Sequence, residues 1–169
     1  MDETFEQYVA RRGVALLRFA GALTGDRGTA EEIVQEVLLR ASRRWPEIVA
    51  TGAVPAYLRR MVINEHVSWR RKWARLVPHG DVPDRRIVAD HAERQADRDA
   101  LSRELDKLPP RQRAVLVLRY YEGLGDDAIA GVLGCSTGTV RSHASRALAA
   151  LRIDLSPTLA ATSTKAREK

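Results

Sequence analysis

The fold is decided by residues 126–151, which have the sequence DDAIAGVLGCSTGTVRSHASRALAAL. Its first helical stretch, 126–133, ends at Gly134, the residue type that adopts the left-handed backbone conformation most easily. Ser136 and Thr137 then place hydroxyls where the free amides at the start of a second helix need acceptors. A short helix, a glycine turn and a second helix over 137–151 have the layout of a helix-turn-helix.

The second helix of this motif has two different faces. Its inward face is predicted by the helical spacing of four apolar residues, Val140, Ala144, Ala147 and Leu151. The other side carries arginines and small polar residues, which suit a DNA major groove because arginine contacts guanine or phosphate. A plain helical hairpin with a solvated arginine face is the alternative that the motif alone leaves open. The candidate DNA-binding residues are Thr139, Arg141, Ser142, Ser145 and Arg146.

The rest of the chain also shows the 3.6-residue apolar period of helices, and strand-like alternation is hard to find. The sequence therefore predicts an all-α protein. Trp45-Pro46 is expected to close the second helix, because the residue before a proline is pushed out of the helical region. Glu47 to Val54 is then expected to form an ordered loop. The predicted helices span 5–23, 29–45, 55–75, 94–107, 110–122, 126–133 and 137–151.

Two small helical domains are predicted from the position of one polar, proline-containing stretch. The stretch from Val77 to Asp90 holds Pro78, Gly80 and Pro83 among many charged residues, which is typical of an interdomain linker. The predicted organisation is an N-terminal module (1–76), a linker (77–93), a C-terminal module (94–152) and a frayed tail (153–169).

Composition excludes several classes of protein. Of the 169 residues 44% are hydrophobic, enough for a core, but the longest apolar runs are too short to cross a bilayer. The only cysteine, Cys135, cannot form an internal disulfide, and the four histidines lack metal-site spacing, so no metal or other cofactor is expected. The acidic start of the chain has no apolar signal segment, and we expect a cytoplasmic protein.

The charge is positive and unevenly distributed. The net charge is +6, with 28 Lys and Arg against 22 Asp and Glu, which is weak evidence for a polyanionic partner. Residues 1–36 are acidic, and so are residues 81–106. Residues 56–75 carry six basic side chains against one acidic one, and residues 137–152 carry three arginines and no acid. Two separate basic elements are therefore candidate nucleic-acid surfaces.

The C-terminal module resembles region four of the sigma-70 family of bacterial transcription initiation factors. The resemblance runs from LPPRQRAVLVLRYYEGL (108–124) to AIAGVLGCSTGTVRSHASRAL (128–148). It implies that this module binds the minus-thirty-five promoter element and the flap of the polymerase β subunit. By position, Arg141, Ser142, Ser145 and Arg146 correspond to the family's base and phosphate contacts.

The N-terminal module is similar to region two of the same family over LTGDRGTAEEIVQEVLLRASRRW (23–45). The resemblance implies that this helix docks on the coiled coil of the polymerase β′ subunit. Glu32, Gln35 and Glu36 lie three and four residues apart, so they share one helix face, and an acidic face suits a basic partner helix. A merely solvated helix face is the alternative that composition alone would favour.

The basic element 55–75 corresponds, by this resemblance, to the promoter-melting region. Leu58, Val62, Trp69 and Trp73 cluster on a helical wheel and are expected to pack inward. A second stripe combines an aromatic ring, an amide and guanidiniums, as single-stranded DNA binding requires, and the loop 47–54 is expected to form a pocket for an unpaired base. The candidate minus-ten residues of this stripe are Tyr57, Arg60, Asn64, Ser68, Arg71 and Arg75.

The near-direct succession of the two regions identifies the chain as similar to extracytoplasmic-function sigma factors, in particular the actinobacterial SigE-type subfamily. The implied partners are core RNA polymerase and promoter DNA, and an anti-sigma factor is a further candidate. No catalytic activity is expected. The competing interpretation is a stand-alone helix-turn-helix regulator, which would not need the acidic stripe or the aromatic-basic helix. A metal-dependent nuclease is a third class, disfavoured because adjacent carboxylates such as Glu31 and Glu32 diverge on a helix.

Overall fold

Helices form nearly all the regular structure of residues 3–76 and 100–155, the parts of the chain that this computed structural model describes. No strand occurs in these two ranges, so the predicted all-α class is confirmed. The predicted linker 77–93 lies outside the described residues, as do the start of the predicted helix 94–107 and residues 156–169 of the predicted tail. The helices are α1 (Phe5–Thr24), α2 (Arg27–Arg43), α3 (Trp45–Ala50), α4 (Val54–Leu76), α5 (residues 100–106), α6 (Pro110–Leu116), α7 (Asp126–Leu133) and α8 (Thr137–Leu155).

The first two helices are delimited by side-chain caps and a glycine. Thr4 and Gln7 form a reciprocal capping box at the start of α1, with the Thr4 amide donating to Gln7 Oε1 at 3.0 Å. Gly25, at a φ of 73°, ends α1 in the left-handed conformation. Asp26 then caps α2 by accepting from the Thr29 amide at 2.7 Å. This tight turn folds α1 and α2 into an antiparallel pair.

The prediction of a loop from Glu47 to Val54 is largely wrong, because Trp45–Ala50 form helix α3. Pro46 occupies the first turn of this helix, where its missing amide costs nothing, so the proline begins a helix as well as ending the preceding one. Trp45 is buried against Phe5 and Tyr8, and its indole Nε1 donates to the Glu3 carbonyl at 2.9 Å. Only the short turn 51–53 separates α3 from α4.

The predicted inward stripe of α4 is confirmed in its first half and wrong in its second. Leu58 and Val62 are fully buried. Trp69 and Trp73 are only partly buried and pack on each other, with ring centroids 5.5 Å apart. The stripe runs past the end of the neighbouring core, so the two indoles cover each other instead of entering it.

In the C-terminal module α8 packs against both α6 and α7. The predicted inward face of α8 is confirmed, since Val140, Ala144, Ala147 and Leu151 are all buried. The predicted helix 110–122 is not α-helical throughout. α6 ends at Leu116, and the chain continues as a π-helical turn over Val117–Tyr121. Helix α8 extends to Leu155, four residues beyond its predicted end, so the first part of the predicted tail is helical.

The two modules pack against each other. α4 contacts both α6 and α7, and α1 contacts the π-helical turn. One continuous cluster of buried apolar residues runs from Phe19 and Leu23 of the N-terminal module to Leu118 and Ile129 of the C-terminal module. The described residues therefore share one core across the module boundary.

Candidate nucleic-acid interface

The five candidate DNA-binding residues of α8 all lie on its exposed side. The buried residues Val140 and Ala144 fix the rotation of the helix against α6 and α7, which leaves the opposite side open to solvent. This side carries arginines and small hydroxyl side chains. The small side chains leave room for the sugar-phosphate backbone beside a DNA groove to approach the helix closely. The exposed candidates are Thr139, Arg141, Ser142, Ser145 and Arg146.

The start of α8 is held by the predicted glycine and serine. Gly134, at a φ of 65°, ends α7, and the Cys135 amide donates back to the Ala130 carbonyl at 3.1 Å. Ser136 Oγ accepts from the Thr139 amide at 3.1 Å and lies 2.9 Å from the Thr139 hydroxyl. The cap therefore orients Thr139 in the first turn of α8.

A cleft of about 260 Å³ lies beside the α8 face and brings in a second guanidinium. Arg119, from the π-helical turn, and Arg141 and Ser145, from α8, line it. The Arg119 guanidinium forms an ion pair with Asp126 at the start of α7, which holds it in place. Arg141 brings to this cleft the positive charge and the donors that a DNA phosphate requires, and the Arg119–Asp126 pair forms its other wall.

His143 lies on the flank of α8 and stays neutral. Burial lowers the pKa of its imidazole, and the guanidiniums of Arg146 and Arg111 lower it further. The positive charge of this face at neutral pH is therefore carried by arginines.

The candidate minus-ten residues form one solvent-facing stripe along α4. Leu58, Val62 and Ile63 point into the core and His66 is buried beside them, so the rotation of α4 is fixed. Arg60, Asn64, Arg71 and Arg75 are exposed, whereas Tyr57 and Ser68 are partly buried. Tyr57 packs against the core and is partly exposed.

One residue of this stripe contacts the other module. The Arg60 guanidinium packs on the turn of the helix-turn-helix, where Nη2 lies 3.0 Å from the position that a Cβ on Gly134 would occupy. Its neighbour on the helix, Arg59, forms an ion pair with Glu122 beyond the π-helical turn. The first turns of α4 are therefore in contact with the helix-turn-helix.

The acidic stripe of α2 is exposed as predicted. Glu32, Gln35 and Glu36 all face solvent on one side of the helix. Glu36 lies 3.3 Å from Arg40, which also pairs with Glu65 of α4, so the C-terminal end of the stripe is tied to α4.

The three candidate sets do not converge on a single site. The acidic stripe lies on α2, the aromatic-basic stripe on α4, and the arginine-serine face on α8, so the chain has three surfaces. No group of three or more His, Cys, Asp or Glu side chains that could hold a metal ion occurs within residues 3–76 and 100–155. In the same ranges no helix is long and apolar enough to cross a membrane.

Two residues that belong to these surfaces escaped the sequence analysis. Leu39 is 52% exposed and lies three and four residues beyond Glu36 and Gln35, so it extends the acidic stripe with an apolar side chain. The same helical spacing could have found it. Arg119 joins the α8 face only through the packing of the π-helical turn, and no sequence spacing indicates that.

Comparison with known proteins shows the family to which the chain belongs. Residues 8–76 match the family model of sigma-70 region 2, and residues 98–151 match that of sigma-70 region 4. The RNA polymerase sigma-E factor of Streptomyces avermitilis is 42% identical over 152 residues, covering 89% of this chain and 84% of the relative. The chain belongs to the sigma-70 family.

Further relatives place it in the extracytoplasmic-function branch. The ECF RNA polymerase sigma factor SigL of Mycobacterium tuberculosis is 36% identical over 147 residues, covering 83% of this chain and 82% of SigL. Among solved structures, the sigma factor RpoE in complex with the anti-sigma factor NepR from Bartonella quintana matches with a TM-score of 0.69 and 29% identity, covering 88% of this chain and 94% of that one. The structure of CnrH in complex with the cytosolic domain of CnrY matches with a TM-score of 0.66 and 26% identity, covering 91% of this chain and 88% of that one.

The chain is thus a sigma factor that directs transcription initiation by RNA polymerase. Core polymerase and promoter DNA are its partners, and the stand-alone regulator is the less well supported interpretation.

Proposed function

We propose that the three surfaces divide the work of promoter recognition among them. Helix α2 docks on the β′ coiled coil of core polymerase through Glu32, Gln35 and Glu36. Helix α8 contacts the minus-thirty-five element as duplex DNA, and the same module binds the β flap. Helix α4 captures the minus-ten element as a single strand, through Tyr57, Arg60, Asn64, Ser68, Arg71 and Arg75.

The observation that carries this proposal is the composition of the exposed stripe of α4. A partly buried aromatic ring, an amide and three guanidiniums lie on one side of a helix whose other side is firmly packed by Leu58 and Val62. Solvated helix faces contain charges, but a ring, an amide and guanidiniums spaced three or four residues apart match the stacking, edge-reading and phosphate contacts of a single strand.

Asn64 lies at the centre of this stripe and is the best candidate to read a base. Its amide offers two donors and an acceptor, which can pair with the edge of an extruded base. Extruding a base costs a few kcal/mol, so the contacts that hold it must offset that cost. The exposed Arg71 and Arg75 continue the stripe and would hold the phosphates that follow.

The polymerase-binding role of α2 is supported by its charge and by Leu39. Glu32 and Gln35 offer acceptors to a basic partner, and the exposed Leu39 adds an apolar contact at the end of the same face. Mixed surfaces of this kind, with an apolar side chain among polar ones, are typical of protein interfaces.

The substitution Asn64→Ala tests the assignment of α4. We expect open-complex formation to fall while core-polymerase binding remains unchanged. Permanganate reactivity of unpaired thymines, on promoters recovered from genomic fragments, measures open-complex formation. Asn64→Asp should fail similarly, because it keeps the size of the side chain but removes the donors.

Gln35→Ala is the reciprocal control for this experiment. It should weaken core binding and leave promoter opening normal once the polymerase is saturated with the protein. If Asn64→Ala instead weakens core binding, the assignment of α4 to the minus-ten element is wrong.

The remaining parts of the proposal concern partners and location. Two similar solved structures are complexes, one of the sigma factor RpoE with the anti-sigma factor NepR and one of CnrH with the cytosolic domain of CnrY, and we include an anti-sigma factor among the partners of this chain. The protein works in the cytoplasm, where the polymerase is, and has no catalytic activity of its own.

A further inference from the structure

We infer that Arg40 of α2 is a positioning residue for the minus-ten strand, because it neutralises Glu65, the one carboxylate of helix α4. The inference rests on the proposed function, since it requires α4 to bind a negatively charged strand. It adds to that function a residue that belongs neither to the acidic stripe of α2 nor to the aromatic-basic stripe of α4.

Helix α4 carries an unbalanced set of charges. Between Val54 and Leu76 it has six lysine and arginine side chains and a single acidic one, Glu65. A surplus of cations attracts a DNA strand, and a carboxylate among them opposes that attraction. The partner of Glu65 therefore affects the charge that the whole helix presents to DNA.

Glu65 lies beside residues that are proposed to contact the strand. It directly follows Asn64 in the sequence, and Ser68 lies three positions further on, one turn along α4. Residues three apart on a helix have Cβ atoms about 5–6 Å from each other. An unpaired carboxylate at this position would repel the phosphates of a strand bound along the stripe.

Helix α4 provides no cation for Glu65 at helical spacing. The positions three and four residues away on α4 are all uncharged and hold Met61, Val62, Ser68 and Trp69. The partner comes from α2 instead, because Arg40 Nη2 pairs with Glu65 Oε2 and donates a hydrogen bond to it. The neutralisation of Glu65 thus depends on the packing of α2 against α4.

Arg40 also lies near a second carboxylate, and exposure decides which of the two holds it more firmly. Its Nε is 3.3 Å from Glu36 Oε1 within α2, and 50% of the Glu36 side chain is exposed. The Glu65 side chain is only 19% exposed. Since water screens an exposed ion pair more than a covered one, the pair with Glu65 is the stronger.

The coverage of Glu65 also determines what happens when Arg40 is removed. A largely covered carboxylate is poorly screened by water and salt, so its field reaches the neighbouring stripe. With Arg40 in place the pair has no net charge, and the exposed guanidiniums of Arg60, Arg71 and Arg75 attract the strand unopposed.

Strand binding by the holoenzyme, formed from core polymerase saturated with the full chain, tests this inference. The probe is a fluorescein-labelled single strand that carries the minus-ten motif of a promoter recovered from genomic fragments, and fluorescence anisotropy follows its binding. Arg40→Met should weaken strand binding by about three- to tenfold, and the loss should shrink as the salt concentration rises. Arg40→Lys keeps the charge and should retain most of the affinity.

Glu65→Gln separates the electrostatic role of the pair from a structural one. With no carboxylate to neutralise, this variant should bind the strand at least as tightly as the wild type. A structural role would instead make it bind as weakly as Arg40→Met. It leaves no covered charge unpaired, so it decides the question even where Arg40→Met fails to fold.

The double variant Arg40→Met with Glu65→Gln shows whether Arg40 acts through Glu65. It should bind the strand about as tightly as the wild type, because both charges of the pair are gone. A double variant that binds as weakly as Arg40→Met would overturn the inference, since Arg40 would then act on the strand without Glu65.

Arg27→Met is the matched control for Arg40→Met. It removes a guanidinium from the same helix and breaks the Arg27–Glu31 pair, which belongs to none of the three surfaces. Strand binding should remain unchanged. Equal losses for Arg27→Met and Arg40→Met would contradict the inference, because the loss of any positive charge on α2 would then suffice.

Failure of the inference is distinguishable from failure of the proposed function. If Asn64→Ala leaves strand binding by the holoenzyme unchanged, the proposed role of α4 is refuted. If Asn64→Ala weakens strand binding and Arg40→Met does not, only the role of Arg40 is refuted.

Discussion

At the scale of single residues, His66 couples stability to pH. It is 2% exposed at the junction of the modules, neither ring nitrogen has a hydrogen-bond partner, and its pKa is lowered to about 3 by burial and by Arg113 and Arg70. The neutral imidazole is the buried form, so its contribution is fully present above the unfolded pKa of about 6.5 and is lost as the pH falls from there toward 3.

We expect urea denaturation to show a loss of about 1.4 kcal/mol of unfolding free energy between pH 7.5 and 5.5, from this one group. His66→Leu keeps the site apolar and should remove most of this pH dependence. If the wild type and His66→Leu lose the same stability over that interval, another group is responsible.

Arg141 is the residue of α8 with the clearest predicted contribution to binding. If its guanidinium contacts a base, Arg141→Ala should weaken binding to the minus-thirty-five element by about 1–3 kcal/mol, because each good bidentate contact contributes that much discrimination. Electrophoretic mobility shift on the specific duplex and on random duplex measures this.

The control for Arg141→Ala is Arg12→Ala, which removes an exposed arginine from α1, away from all three surfaces. It should leave both affinities nearly unchanged. An equal loss for Arg141→Ala on specific and random DNA would show that the arginine contacts phosphate only.

At the scale of elements, the turn between α1 and α2 limits how closely the two modules can pack. Gly25 and Gly52 have nearly equal positive φ angles of 73° and 67°, but a Cβ on Gly25 meets Ser102 Oγ at 2.6 Å whereas a Cβ on Gly52 meets nothing within 4 Å. Gly52→Ala should therefore cost only the backbone strain of about 1–2 kcal/mol.

Gly25→Ala should cost more than Gly52→Ala by about 1–3 kcal/mol, the range for overpacking a tight contact. Thermal or urea unfolding of the two variants gives the difference directly. Equal losses would mean that α5 does not pack against this turn in solution.

The helices could largely be predicted from the sequence, since apolar spacing, caps and glycines are local signals. Gly134 and Ser136 end α7 and begin α8 as expected, and Val140 and Ala144 point inward. Pro46 was misinterpreted because a proline that ends one helix can also begin the next.

Trp69 and Trp73 show where periodicity stops being informative. Their spacing indicates a side of α4, but not how far along the helix the neighbouring core extends. The surfaces on α2, α4 and α8 were predicted as separate stripes, and the roles proposed for them rest on the family resemblance and not on the spacing alone.

At the scale of the whole molecule, the contact between modules could not be predicted. Arg113 appears in the sequence as one more basic residue of an amphipathic helix. In the structure it is buried, and from α6 it contacts both α5 and α1. Apolar periodicity shows which face of a helix turns inward but not which partner covers it, and Leu23 and Ile129 join one core only through tertiary packing.

The central claim is that this chain recognises two promoter elements while it is bound to core polymerase. In vitro transcription with sigma-free bacterial core polymerase on fragmented genomic DNA, followed by sequencing of RNA 5′ ends, tests it most directly. We predict discrete start sites that share two upstream motifs at a fixed spacing. Absence of such starts, while the protein alone still retains specific duplexes, would contradict the account and favour a stand-alone DNA-binding regulator.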